Sequence, residues 1–139
     1  METTRSAVAR RRRGFQHDIE IRDHRLLADE PKDHGGDNAG PRPTELLAAS
    51  LASCTAITIE MYADRKEWDL GMVEVTVEYE PASTDRPAHF DVTIRTPLEE
   101  ALTVEQRERI LVIAGKCPVH RTLKARDVEI MDSLEMFEE

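Results

Sequence analysis

Cys54 and Cys117 are the only thiols in this 139-residue chain, and their settings differ. Cys54 lies within Glu45-Leu-Leu-Ala-Ala-Ser-Leu-Ala-Ser-Cys-Thr-Ala-Ile-Thr-Ile-Glu60, the least polar stretch of the sequence. Cys117 opens Cys117-Pro-Val-His120, between Lys116 and Arg121. The thiolate is the nucleophilic form of cysteine, so how each setting treats negative charge decides what the residue can do. At helical spacing Cys54 shares a face with Leu47, Ser50, Leu51, Ile57, Thr58 and Met61. It is either an inert core cysteine whose pKa burial raises, or a reagent held in an apolar pocket. Pro118 suits a first helical position, which makes Cys117 the cap of a short helix. There the helix dipole and the basic neighbours favour a thiolate. The plain alternative is an incidental cap residue. If the two thiols meet in space, one can attack and the other resolve the resulting sulfenic acid into a disulfide.

Other chemistries have weaker support. Cys117-x-x-His120 has ligand-like spacing, and Cys54 would complete a three-ligand zinc site with one open position. With no second paired motif, no metal or other cofactor is expected. His17, His24, His34 and His89 lack partners at ligand spacing, and neither Ser50 nor Ser53 sits in a nucleophile-elbow motif. Two distant cysteines without Cys-x-x-Cys do not form a structural disulfide framework.

The elements that must position these residues read as an α+β domain. Phe15 to Ile21 and His24 to Ala28 are two short strand candidates, with a turn at Arg22-Asp23. The segment from Asp29 to Pro43 is dense in Gly, Pro, Asp and Asn and reads as a loop. A long helix starts at Pro43 and runs to about Lys66, with Glu45 placed to favour its N-terminus. Its first five turns are apolar nearly all round, so it must be buried on several sides, in part by a partner subunit. Val73, Val75, Val77 and Tyr79 alternate with polar residues, as do Phe90, Val92 and Ile94, predicting half-buried antiparallel strands. Thr103-Val-Glu-Gln106 is a capping box, opening a helix that carries Ile110, Leu111, Ile113 and Ala114 at helical spacing and ends near Gly115. The short helix after Cys117 and a last strand, Val128 to Met131, complete the order. Residues 1–14 are read as an arginine-rich tail and 15–139 as one domain.

Composition narrows the function. A net charge of −9 argues against nucleic acid, despite the run Arg10-Arg-Arg-Arg13, which is expected to be a solvated tail. No uninterrupted run approaches the ~18 apolar residues of a membrane span, and residues 1–16 are polar, unlike a signal peptide. No membrane association and a cytoplasmic location are expected.

Several motifs are familiar together. His24-Arg-Leu-Leu-Ala-Asp-Glu-Pro31, Gly35-Gly36, Gly40-Pro-Arg-Pro-Thr-Glu-Leu-Leu-Ala-Ala-Ser-Leu-Ala-Ser-Cys-Thr-Ala-Ile57 and Lys116-Cys-Pro-Val-His-Arg-Thr-Leu123 resemble the OsmC/Ohr family of osmotically inducible and organic hydroperoxide resistance proteins. The likeness spans roughly residues 15 to 131 and is nearest the OsmC-like branch. It implies an intertwined homodimer with two long central helices and active sites at the subunit interface. It also implies thiol-dependent reduction of organic hydroperoxides in the response to oxidative stress, with an external dithiol as reductant. On that pattern Cys54 is the peroxidatic thiol, Cys117 the resolving one, and His120 a possible support. Hydroperoxide-reducing members carry Glu directly after the helix-starting proline, where this chain has Thr44. They also use an arginine from the N-terminal sheet to hold the first thiol as a thiolate; Arg22 and Arg25 are the candidates here. The rival expectation is a non-enzymatic small-molecule or redox-sensing binding protein on the same fold, which Thr44 favours.

Overall fold

The computed structural model describes residues 5–97 and 102–138. Contacts divide the single chain into two compact units. One comprises the chain up to Ala52 with Thr76–Thr93, and the other Ser53–Val75 with the chain from Ile94 onward.

In the first unit, β1 (Val8–Arg13), β2 (Gln16–Ile21) and β3 (His24–Ala28) form an antiparallel meander in that order. The turn predicted at Arg22-Asp23 is present, with Arg22 in the left-handed region at φ 55°. The arginine run is not a tail. Arg10 and Arg11 pair with Asp18 and His17 across β2, and a bulge separates Arg11 from Arg13. Every residue of β1 is exposed, so an edge strand can carry four guanidiniums into solvent while its backbone is paired. Arg10 also meets Glu20 at 3.3 Å.

The loop after β3 is organised around Asp29, which is 1% exposed. Its carboxylate accepts from the backbone N–H groups of Glu30 (2.7 Å), Asp37 (3.1 Å) and Ala39 (3.0 Å). The N–H of Ala39, above all, holds Asp29 below the usual carboxylate range. The chain packs so tightly that a Cβ on Gly36 or Gly40 would collide with the carbonyls of Glu30 and Leu27. The loop delivers the chain to α1 (Pro43–Lys66). Glu45 acts at its start as expected, Oε1 accepting from the N–H of Arg42 at 2.9 Å.

β4 (Glu74–Glu80) and β5 (His89–Arg95) form a second sheet with the predicted alternation, and Tyr79 stacks on Phe90 at 4.6 Å. In the second unit, α2 (Val104–Ala114) carries the Thr103/Gln106 capping box and ends at Gly115. Ile110 and Ala114 pack with Ile59, Ala63 and Leu70 in its core. Leu111 is exposed, because α2 buries only one narrow stripe. α3 (Pro118–Lys124) follows with Cys117 as its cap. The final strand does not form: Val128 to Met131 are irregular, and Ile130 and Met131 are 81% and 90% exposed. A strand needs a neighbouring edge to satisfy its backbone, and this segment pairs with none here.

α1 also qualifies one expectation. No apolar run is unbroken, yet as a whole the helix is long and apolar enough to cross a membrane by length and composition alone.

Candidate functional site

Both cysteines belong to the second unit and both are free thiols. Cys117 is completely buried, and Cys54 partly so. They are brought together. Burial pushes the Cys54 thiol up from its ordinary value, and a hydrogen bond with the Cys117 side chain adds to this by favouring the protonated sulfur. The Val119 N–H and the Thr58 hydroxyl act in the opposite sense. Cys117 Sγ in turn accepts from the His120 N–H at 3.4 Å.

The local sequence explains this arrangement. A helix begins with N–H groups that have no acceptor inside the helix, and Pro118 has none to offer. The next two, from Val119 and His120, each act on one sulfur. The His120 contact comes from its backbone, not its imidazole. Thr58 follows from the helical face of Cys54. Val119 was invisible as a side chain; its signal was the proline before it. Ser50, on the same face, instead donates to the Leu47 carbonyl at 2.7 Å.

The remaining candidates lie in the first unit. Arg22 is at the exposed β2–β3 turn, and Arg25 on β3 donates to Glu20 at 3.2 Å. Thr44 and Glu45 line a cleft of about 560 Å³ with Arg42, Ala48, Ala52 and Tyr79. Arg42 pairs with Glu30 at 3.2 Å, while its Nε is buried without a partner. At 100° per residue Ala48, Ala49 and Ala52 point well away from Cys54 around α1, so this cleft is not the space in front of the thiol. Among the described residues no cluster of three His, Cys, Asp or Glu is arranged to hold a metal ion.

A family model for OsmC-like protein matches residues 35–131, most of the chain and both cysteines. The chain belongs to the OsmC-like family. No curated protein matches it in sequence. Among solved structures it resembles a Psychrobacter arcticus 273-4 protein named for osmotic stress induction and detoxification response, at 22% identity and a TM-score of 0.73. That match covers 87% of this chain and 89% of the other. An OsmC-like protein from Mycoplasma pneumoniae matches at 20% identity and a TM-score of 0.71, over 91% of both chains. An organic hydroperoxide resistance protein OsmC from Legionella pneumophila matches at 23% and 0.64, over 88% and 90%. At these identities the likeness speaks for the fold. In the OsmC-like frame α1 is the long helix of the domain.

Proposed function

We propose that this OsmC-like protein is a homodimeric, cytoplasmic thiol peroxidase that reduces organic hydroperoxides. The observation that carries the reading is the contact between its two free thiols, each also served by an N–H from the first turn of α3. The names of similar proteins, organic hydroperoxide resistance among them, support the substrate class. The Cys54 thiolate attacks the peroxide O–O bond and takes one oxygen as a sulfenic acid, and the other oxygen leaves as the alcohol after protonation. Cys117 sulfur then attacks the Cys54 sulfur; water departs and a disulfide forms. An external dithiol reduces this disulfide and restores both thiols.

Thiolate formation at neutral pH is the demanding step, because burial in the single chain favours the protonated Cys54. A cation must reach Cys54 in the assembled protein, and Arg22 and Arg25 are the candidates. The same burial, with Thr44 where an acid would stand, favours a second reading, a non-enzymatic binder or redox sensor.

Single-turnover oxidation by cumene hydroperoxide and by hydrogen peroxide, followed by free-thiol titration and intact mass, tests the proposal. The expected result is loss of both thiols with the mass of two hydrogens, faster with the organic peroxide. Cys54→Ser should abolish the reaction. Cys117→Ser should stop it at the sulfenic acid, trapped by a dione reagent. Thiols that survive excess peroxide would sink the enzyme and leave the binder.

A further inference from the structure

Away from the thiols, the C-terminal end of α1 and the start of α2 line an open cleft of about 510 Å³ in the second unit. Its walls are aromatic. Tyr62 and Trp68 meet edge to face, centroids 5.5 Å apart. Its charge is mostly positive. Arg109 Nε donates to the Tyr62 hydroxyl at 3.0 Å, and its guanidinium carbon lies 5.4 Å from the ring centroid. Lys66 Nζ lies 5.7 Å from the same ring. Among the described residues Glu105 is the one acid lining the cleft, and it forms no ion pair with either cation.

In a chain with net charge −9, cations this close to an aromatic wall would be expected to find carboxylates. Among the described residues neither Lys66 nor Arg109 does. The positive field at Tyr62 is evident in its phenol, held below the usual range first by the Arg109 hydrogen bond and then by the charges of Arg109, Lys66 and Lys116. Only Nε of Arg109 is committed to Tyr62, so its two terminal nitrogens remain a planar fork of the kind that receives a carboxylate.

We propose that this cleft binds a small aromatic carboxylate, its carboxylate on Arg109 and Lys66 and its ring against Trp68 and Tyr62. The site is independent of peroxide reduction and of Cys54.

Trp68 is the single tryptophan and so reports on the site directly. The full-length protein would be titrated with benzoate, acetate, phenol and inorganic phosphate, following tryptophan emission. Saturable quenching by benzoate, at least about tenfold tighter than by acetate or phenol, is expected, since each half of the ligand supplies only part of the contact. Arg109→Met should weaken benzoate by about tenfold or more, as loss of a charged hydrogen bond does. Lys66→Met, which leaves the Tyr62 hydrogen bond intact, should weaken it by a smaller factor. Equal affinities for benzoate and phenol would overturn the proposal. So would phosphate binding as tightly as benzoate, absence of saturation, or a Lys66→Met protein indistinguishable from wild type.

Discussion

At the scale of single residues, the chemistry turns on the balance around Cys54. Burial and the Cys117 contact keep its proton on, while the Val119 N–H and Thr58 hydroxyl pull the other way without prevailing. The proposed peroxidase needs the opposite outcome, and on that proposal assembly shifts the balance. In the assembled protein, pH-dependent alkylation of Cys54 should show an inflection below the ordinary thiol value of about 8.5. Replacing the responsible arginine, Arg22 or Arg25, with Met should move that inflection to the alkaline side and slow oxidation at neutral pH. An inflection already alkaline in the wild type would instead match the burial seen here and favour a binder. That the two cysteines could meet was legible because their motifs are distinctive. The Val119 amide was not, because a backbone donor carries no residue type of its own.

Elements were read well where the period of the side chains determines them. The alternation in β4 and β5, the capping box of α2 and the proline starts of α1 and α3 are all present as expected. Failures came where an element depends on what lies beside it. Arg10–Arg13 looked like a tail because charge suggests solvent, yet an edge strand satisfies backbone pairing and solvation together. Val128–Met131 has the composition of a strand and lacks an edge to pair with. The Asp29 loop was legible as a loop but not as a tightly built one. Its lowered carboxyl pKa sets a pH test. Because the folded value is depressed, Asp29 stabilises the fold above its unfolded value of 3.8, and this is lost as pH falls through the lower folded value. Asp29→Asn should lower the melting temperature at neutral pH and flatten its dependence below about pH 4. Gly36→Ala should cost about 1–3 kcal/mol, seen as a drop of several degrees in Tm, because its Cβ meets the Glu30 carbonyl.

At the scale of the whole molecule, α1 poses the largest physical problem. Only Leu51, Thr55, Ile59 and Ala63 are buried along it, one residue per turn, while Ile57 and Met61 are 51% and 62% exposed. A helix apolar on nearly every face and covered on one has area that water penalises at about 25 cal/mol per Å². In the homodimer proposed above, a second copy of this chain would cover that area. Full burial of an Ile or Met side chain is worth about 1.5–3 kcal/mol, so a charge placed there opposes association while adding no strain to the single chain. Light scattering should therefore find a dimer for the wild type. Ile57→Glu and Met61→Glu should each shift it toward monomer at micromolar concentration, and the pair together should do so almost completely. If the site requires a cation from the second copy, the same variants should lose peroxide reactivity in step with the dimer while both thiols remain free. A monomeric wild type with full activity would separate the chemistry from assembly and assign Cys54 activation to residues of its own chain.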